Sequence, residues 1–346
     1  MGGVSDFISL TKPRVVVLLQ ITAMCSVLVH DSIGMGLGFD TISTMGIVFV
    51  GGYLTAGGAN AINMWYDRDI DPKMSRTANR AIPKGKVSPE SALYFGLVIS
   101  FLGTSWFYFL SNAVAAFWSA FSILFYVIIY SMWLKRSTPQ NIVIGGVAGS
   151  TPPVIAWAAS EESLIFSLDS VGSLILSVFD IGSLVPWFMF ILIFLWTPPH
   201  FWALALYRSD EYSNVGVPMM PNVKGPERTI IEMKAYCILL VLLSFTAPES
   251  FGEMEPMDLD YLLLGSSTVG LSLWYSSTVW RIDVKEKPDE SGRIASAASS
   301  FFVSLLYLTL MFIVLVTASL GFTGSILGFG IAFLSIARTE MGSHSK

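Results

Sequence analysis

Long apolar stretches separated by short polar loops occupy most of the 346-residue chain. A transmembrane helix needs about 20 mainly apolar residues to cross a hydrocarbon core roughly 30 Å thick, and segments of about this length recur along the sequence. The pattern predicts an all-α integral membrane protein with about nine spans. These spans lie near residues 15–30, 43–63, 89–110, 113–133, 141–159, 186–206, 229–247, 260–279 and 298–318.

A further apolar stretch at residues 322–337 is shorter than the others and contains three glycines. Whether it crosses the membrane, re-enters it or lies at the interface is left open by the sequence. A different irregularity is the paired prolines within two spans, at Pro152 and Pro153 and at Pro198 and Pro199. Proline removes a backbone donor and clashes with the preceding turn, so we expect both helices to be interrupted beside a polar cavity.

Composition supports this picture, because 53% of the residues are hydrophobic and only 13% are charged, against roughly 25% charged in a soluble domain. No polar stretch is long enough for a separate soluble domain, so residues 1–346 are expected to form a single polytopic domain. Lys and Arg accumulate on the cytoplasmic side of membrane proteins. With a cytoplasmic N-terminus, 18 of the 20 basic residues fall on that side, all except Arg338 and Lys346. This charge distribution predicts a cytoplasmic N-terminus and a location in the cytoplasmic membrane.

The strongest chemical signal lies at the cytoplasmic end of the second span, where Asn63, Asp67 and Asp71 are spaced four residues apart. In a helix this spacing places side chains near one face, where like charges repel. A cation between them would relieve the repulsion, and oxygen ligands of this kind suit Mg²⁺, which one or two carboxylates commonly hold together with substrate phosphates. The alternative is a solvated helix end whose acids pair with Arg68 or Lys73.

A cluster of cations follows this acidic motif, namely Lys73, Arg76, Arg80, Lys84 and Lys86. Carboxylates that hold a metal beside cations are typical of a diphosphate site, since both neutralise the charge of the leaving group. Arg76 and Arg80 are favoured as phosphate ligands because a guanidinium forks onto phosphate oxygens. Each cation taken alone is also explained by the positive-inside bias.

Two further candidates lie in and after the sixth span. Asp210 and Glu211 belong to a second polar loop, and adjacent helical residues point about 100° apart. Asp210 is therefore the better candidate for a second acidic group, and a metal role for Glu211 stays open. His200 is an ionisable residue within a span, which by default suggests function, although a neutral histidine bonded to the backbone is the competing interpretation.

Four segments resemble UbiA-type intramembrane prenyltransferases, and especially the protoheme IX farnesyltransferase (haem O synthase) branch of that family. They read LTKPR (10–14), NMWYDRDIDPKMSRTANRAIPKG (63–85), LKRSTPQNIVIGGVAGSTPPVIAW (134–157) and TPPHFWALALYRSDEYSNVGVPMMPNVKG (197–225). The second segment is similar to the superfamily's first aspartate-rich motif, whereas the fourth is more specific to the haem branch.

The resemblance implies a ring of nine helices around a central cavity, and transfer of a farnesyl group from farnesyl diphosphate to the vinyl group of haem B. It implies Mg²⁺ as cofactor, held by Asn63, Asp67 and Asp71. The catalytic residues implied are Asn63, Asp67, Asp71, Arg76, Arg80 and Asp210. The substrate-binding residues implied are Lys73, Lys84, Lys135, Arg136, His200, Tyr207, Arg208 and Tyr212.

The chain departs from the family pattern in three places. Asp210 and Glu211 stand where two aspartates four apart are usual, the loop at 160–185 is longer, and residues beyond about 235 match only in hydropathy. A UbiA-type enzyme with another acceptor, such as a quinone precursor or a lipid, is the alternative, followed by a membrane transporter. The expected partners are the two substrates, membrane lipid and a haem-modifying or oxidase-assembly membrane protein, with no nucleic acid.

Overall fold

A computed structural model describes residues 2–74, 77–207, 216–252, 254–286 and 294–344, and all regular structure within these ranges is helical, as predicted. The helices are α1 (Val4–Leu10), α2 (Pro13–Ile33), α3 (Phe39–Tyr66), α4 (Pro89–Leu110), α5 (Ala113–Leu124), α6 (Asn141–Ser150), α7 (Pro152–Ser160), α8 (Val171–Phe179), α9 (Val185–Tyr207), α10 (Met220–Lys224), α11 (Pro226–Ser244), α12 (Ala247–Ser250), α13 (Leu259–Trp280), α14 (Ala295–Ala318) and α15 (Phe322–His344). Shorter turns are a π-helical segment that continues α5, Phe125–Trp133, and 3₁₀ turns at Asp67–Asp69, Asp71–Lys73 and Leu134–Arg136.

Eight helices within the described ranges are long and apolar enough to cross a membrane. They are Pro13–Ile33, Phe39–Asp69, Pro89–Leu110, Ala113–Arg136, Asn141–Ser160, Val185–Tyr207, Ala295–Ala318 and Phe322–Gly342. Seven of them coincide with predicted spans, and the eighth is the stretch at 322–337 that the sequence left open. The chain is therefore a multi-pass membrane protein.

The two other predicted spans, 229–247 and 260–279, form α11 and α13, which are not among these eight helices. Charged residues occupy the first half of α11, and α13 is rich in serine and threonine, many of them buried. The span count of nine, the ring with its central cavity and the cytoplasmic N-terminus consequently stay predictions.

The described residues fall into two compact units. The first unit contains the chain up to Val27, then Gly38–Gly182 and the segment that ends at Val223. The second unit contains Leu28–Leu37, the segment 183–207 and the residues from Lys224 onward. The acidic motif thus belongs to the first unit, and α9 with His200 belongs to the second.

The paired prolines have different effects in the two units. Helix α6 ends at Ser150 and α7 begins at Pro152, so the predicted interruption of the fifth span is confirmed. Helix α9, by contrast, runs without interruption through Pro198 and Pro199, and the predicted break there is wrong. The fixed φ of proline is close to helical values, and neighbouring groups in a membrane bundle compensate for the lost donor.

Small residues bring α3 and α4 of the first unit into close contact. A Cβ atom added to Gly58 would lie 2.1 Å from Ser100 Oγ and 2.8 Å from the carbonyl oxygen of Gly96. A Cβ added to Gly96 would in turn lie 3.0 Å from the carbonyl oxygen of Gly58. Because lipid tails are as apolar as the helices, membrane helices associate through such close packing of small residues. The contact holds the end of α3, which carries the acidic motif, against α4.

The loop between α3 and α4 is packed against the helices around it. Ile82 and Val87 are buried in one apolar cluster with Leu10 of α1 and Met64 of α3. Burial of these side chains fixes the backbone of the loop. It therefore also fixes Arg80, two residues before Ile82, near the end of α3.

We expect Gly58→Val to destabilise the folded protein, because the added side chain meets backbone atoms of α4 that cannot rotate away. Overpacking of this kind costs about 1–3 kcal/mol. The midpoint of thermal unfolding in detergent, followed by fluorescence-detected size exclusion, should fall by several degrees. Gly46→Val is the matched control, since it lies on the same helix and a Cβ there meets nothing within 4 Å. Equal midpoints for both variants would contradict this account of the α3–α4 contact.

Candidate active site

The acidic motif lies where α3 ends and two 3₁₀ turns begin. Asn63 belongs to the last turn of α3, whereas Asp67 and Asp71 each open one of the 3₁₀ turns. The expectation that all three residues share one face of a continuous helix is therefore wrong. Pro72 has no backbone N–H with which to extend the helical hydrogen bonding. The three side chains are nevertheless all buried, with exposed fractions of 3%, 0% and 2%.

Each of these polar side chains is in contact with a cation from another part of the first unit. Lys12 Nζ donates a hydrogen bond of 2.7 Å to Asn63 Oδ1. Asp67 Oδ2 forms an ion pair with Lys135 and accepts a hydrogen bond of 3.0 Å from Asn63 Nδ2. The charge of Asp67 is thus offset by a partner distant in sequence, and not by the nearby Arg68 or Lys73.

Asp71 is paired with Arg80, one of the two arginines predicted to bind phosphate. Arg80 NH1 donates to both carboxylate oxygens, at 2.9 and 2.8 Å. The hydroxyl of Thr77 also donates to the backbone carbonyl of Asp71, at 2.7 Å, which ties the loop to the acid. A single guanidinium nitrogen makes both contacts. The remaining N–H groups of Arg80 make no hydrogen bond with the described residues.

The π-helical segment Phe125–Trp133 carries a serine to the motif. Ser131 is fully buried, and its Oγ accepts a hydrogen bond of 2.9 Å from Asn63 Nδ2. The hydroxyl itself donates to the carbonyl oxygen of Tyr126, five residues earlier, which matches the wider π-helical spacing. π-Helical turns are rare and are often found at functional sites. Lys135 follows in the next turn, so one segment supplies two partners of the acidic motif.

Lys12 is the residue of this site that sequence reasoning missed, although it lies in the LTKPR segment. A lysine just before a span was explained as an orientation signal. The backbone of Lys12 lies in the left-handed region, with φ at +52°, which is uncommon for a residue other than glycine and often marks a functional position. Burial, together with the positive charges of Arg80 and Lys135, lowers the pKa of Lys12 to about 7.

The cluster as a whole contains more basic than acidic side chains. Arg80 and Lys135 pair with the two carboxylates, Lys12 adds a positive charge when it is protonated, and Arg136 lies 3.5 Å from Asp67 Oδ1. Arg136 is mainly paired with the exposed Asp69, at 2.7 Å. A partly buried site with excess positive charge attracts anions such as a diphosphate.

The acidic residues also fit a divalent metal ion. Asp67 Oδ1 is buried and accepts no hydrogen bond from the described residues, and its contact with Arg136 is a long ion pair of 3.5 Å, so this carboxylate oxygen is the one suited to a metal ion. The described part of the chain contains no group of three acidic, histidine or cysteine side chains that would hold a metal alone. Two carboxylates and an amide are instead the kind of set that holds Mg²⁺ when water and substrate phosphates complete the shell.

The other predicted site residues have mixed positions. Lys73 and Lys84 are exposed in the loop between α3 and α4, and no contact ties them to the acids. Tyr207 is the last residue of α9 in the second unit. Arg76, Arg208, Asp210, Glu211 and Tyr212 lie outside the described residues.

His200 lies in α9 of the second unit and is 6% exposed. Its ring is stacked between Trp196, with ring centroids 4.2 Å apart, and Phe301 of α14, at 4.7 Å. Its Nδ1 atom is 2.6 Å from Ser304 Oγ. The partner is thus a hydroxyl of α14, and not the backbone group expected from the competing interpretation.

Comparison with known proteins accounts for this combination of features. The UbiA prenyltransferase family matches residues 23–305. The protoheme IX farnesyltransferase of Rhodopseudomonas palustris strain BisB5 is 41% identical over 91% of this chain and 90% of its own length. The protoheme IX farnesyltransferase of Beijerinckia indica is 43% identical over 90% of this chain and 87% of its own length.

Solved structures show the same fold at low sequence identity. A digeranylgeranylglyceryl phosphate synthase superposes with a TM-score of 0.66 at 15% identity, over 92% of this chain and 99% of its own. A UbiA homologue from Archaeoglobus fulgidus, solved with DMAPP and Mg²⁺, has a TM-score of 0.58 at 15% identity, over 91% and 99% of the two chains. The buried acidic motif, the membrane helices and these similarities agree, and the chain belongs to the UbiA prenyltransferase family, in its protoheme IX farnesyltransferase branch.

Proposed function

We propose that this protein transfers the farnesyl group of farnesyl diphosphate to a vinyl group of haem B, which gives haem O. The observation that carries the proposal is the buried Asn63, Asp67 and Asp71 motif with its surplus of cations, in a chain about 40% identical to named protoheme IX farnesyltransferases over nine tenths of its length. The family match extends from residue 23 to residue 305, which includes residues of both units and supports one catalytic domain.

The diphosphate of the donor would bind at the acidic motif. Asn63, Asp67 and Asp71 would hold Mg²⁺, whose charge supports loss of the diphosphate when it is bound. Lys12 and Lys135 already contact these ligands, and they add positive charge where the leaving group develops negative charge. The guanidinium of Arg80 holds Asp71 through one nitrogen, which leaves its other N–H groups for phosphate oxygens.

The reaction itself has a simple balance. The C1–O bond of farnesyl diphosphate breaks, the electron pair leaves with the diphosphate, and an allylic cation remains. The terminal carbon of the haem vinyl group bonds to C1 of the allylic cation, so the positive charge moves to the vinyl carbon beside the porphyrin. Water adds there and loses a proton, which completes the hydroxyethylfarnesyl group. Farnesyl diphosphate, haem B and water therefore give haem O and diphosphate.

The remaining assignments are parts of the same proposal. His200 serves the haem acceptor, whereas Lys73, Lys84, Lys135, Arg136, Tyr207, Arg208 and Tyr212 serve substrate binding, and Arg76 and Asp210 serve catalysis. The positive-inside distribution supports a place in the cytoplasmic membrane with these groups on the cytoplasmic side. Because haem O is apolar and stays in the membrane, a haem-modifying or oxidase-assembly membrane protein is the expected recipient.

The acceptor separates this function from that of other UbiA-type enzymes. Purified protein in lipid nanodiscs, supplied with farnesyl diphosphate and Mg²⁺, should convert haem B into a product heavier by one farnesyl group and one hydroxyl group, detected by mass spectrometry. An aromatic acid or a glycerol phosphate lipid offered in place of haem B should give no prenylated product. Prenylation of either alternative acceptor, without a haem product, would overturn the assignment.

We expect Asp67→Asn and Asp71→Asn each to reduce turnover at least about 100-fold, roughly 2.7 kcal/mol of barrier. Each change keeps the size of the side chain but removes a charged ligand of the metal. A Mg²⁺ titration of the residual turnover should require more metal than the wild type does. Thermal unfolding in detergent checks that both variants still fold.

Asp6→Asn is the matched control for these two variants. Asp6 lies in the same unit and pairs with Lys86 at 3.1 Å, outside the acidic motif. Its turnover and its Mg²⁺ dependence should equal those of the wild type. Wild-type turnover of both motif variants at saturating Mg²⁺ would rule out the metal site proposed here.

We expect Arg80→Lys to lose turnover because the geometry of the side chain changes while its charge is kept. Arg80→Lys keeps a positive charge beside Asp71, but an ammonium is a point charge without the planar fork of a guanidinium. Contacts made chiefly to the leaving group lower the turnover number more than they raise the Michaelis constant. Turnover should fall at least about tenfold, roughly 1.4 kcal/mol, and Arg76→Lys should behave alike.

Arg228→Lys provides the comparison for these arginine variants, because Arg228 pairs with Glu232 on the exposed surface of the second unit. Steady-state kinetics on all three variants, with membrane insertion checked by protease accessibility, distinguishes phosphate binding from a role in orienting the chain. If Arg76→Lys and Arg80→Lys both turn over like Arg228→Lys, these arginines serve only the orientation of the chain.

A further inference from the structure

The imidazole of His200 is held on both faces and on one edge by groups of the second unit. Trp196 and Phe301 lie nearly parallel to the ring, at interplanar angles of 20° and 24°. Trp196 is itself fixed, because its indole N–H donates a hydrogen bond of 2.9 Å to the carbonyl oxygen of Ser304. The imidazole plane therefore cannot tilt without displacing two aromatic side chains.

The hydrogen bonds of Ser304 decide which nitrogen of His200 carries the proton. Ser304 Oγ donates to the carbonyl oxygen of Phe301 at 2.6 Å. A hydroxyl has a single hydrogen, so once that hydrogen is used, Ser304 Oγ can only accept from His200 Nδ1. In a neutral imidazole with its proton on Nδ1, Nε2 carries the free lone pair.

The Nε2 atom has no hydrogen-bond partner among the described residues, while the ring of Phe201 packs nearly perpendicular to the imidazole at 5.3 Å between centroids. Among the described residues, the only hydrogen bond of His200 is the one made by Nδ1. An unused lone pair on a rigidly held ring inside a membrane-spanning helix is costly unless a ligand uses it.

We propose that His200 Nε2 ligates the iron of the haem acceptor, and that Ser304 is the positioning residue that fixes the tautomer and the direction of this ligand. The proposal rests on the function proposed above, since it concerns how the haem substrate is bound. Neutral imidazole is the commonest metal ligand among side chains. Metal-ligating histidines almost always donate their other ring N–H to an oxygen acceptor, which also raises their basicity, and Ser304 Oγ is such an acceptor.

Iron ligation by a rigid ring would restrict the position of the porphyrin without using its vinyl group. One bond to a ring that cannot tilt fixes the iron and limits the tilt of the macrocycle, while rotation about the Fe–N axis is left for other contacts to settle. Such positioning of a reactant is a major source of rate enhancement.

Optical and resonance Raman spectra of haem B bound to the purified protein in nanodiscs, without farnesyl diphosphate, test the ligation. Ferrous haem in the wild type should show an iron–imidazole stretching band. His200→Gly should lose this band and bind haem B at least about tenfold more weakly, and added imidazole should restore the band by entering the space left by the side chain. Loss of haem affinity with an unchanged spectrum would overturn the proposal.

Ser304 is tested by variants that separate positioning from packing. Ser304→Ala should keep the iron–imidazole band but shift it to lower frequency, because the ligand loses the hydrogen bond that increases its basicity. Ser304→Thr keeps a hydroxyl and should restore the wild-type frequency. Equal frequencies in the wild type and Ser304→Ala, with both proteins folded, would show that Ser304 only packs against the ring.

His30→Ala is the matched control, since His30 also lies in a candidate membrane-spanning helix and its Nδ1 lies 2.7 Å from Asp31. It should leave the iron spectrum unchanged, and loss of the band in this variant would overturn the assignment to His200. Conversion of haem B is measured in parallel on the wild type. A wild type that makes haem O while His200→Gly keeps the band would refute the ligation alone, whereas a wild type that makes no haem O would refute the proposed function.

Discussion

Burial of two carboxylates at the end of a membrane helix is the constraint on which the first unit depends. Removing a charge from water costs several kcal/mol unless a partner compensates for it. Asp67 and Asp71 are 0% and 2% exposed, and they are paired with Lys135 and Arg80. Taking away one partner of such a buried pair typically costs about 3–5 kcal/mol. The helix end is therefore stable only when other parts of the unit bring their cations to it.

Three distinct local structures meet that demand. The α1–α2 junction places Lys12 by means of a left-handed backbone residue, the packed loop after α3 places Arg80, and the π-helical segment places Ser131 beside Asn63, with Lys135 in the turn that follows. Each of these features is unusual taken alone and is explained by the same polar cluster. The arrangement also suits catalysis, because donors that are already in place stabilise a leaving group without reorganising during the reaction.

The second unit handles its intramembrane polar group differently. His200 has aromatic rings on both faces and a hydroxyl on one nitrogen, with no carboxylate among its contacts. The acidic motif thus contains paired charges, whereas the described contacts of His200 are uncharged. Because the two sites differ in this way, no single pattern in the sequence describes both.

The sequence by itself determined the fold class, most of the spans and the location of the acidic motif. Span length and hydropathy are local properties, and the eight helices found by length and composition include seven of the predicted spans. The motif was equally local, since its residues lie within nine positions of one another. The sequence did not determine how these residues were arranged, because α3 ends at Tyr66, and Asp67 and Asp71 each open a separate 3₁₀ turn, out of the predicted register.

Only the tertiary structure decided which cations hold the acids. Lys12 and Asn63 are 51 positions apart, and Lys135 and Asp67 are 68 apart, so their contact depends on how whole helices pack. The same is true of the serine on α14 that contacts His200 Nδ1, 104 positions away. Hydropathy sets which segments enter the membrane, because each segment exchanges water for lipid independently. Side-chain partners depend on the register of packing between segments, which no single segment encodes.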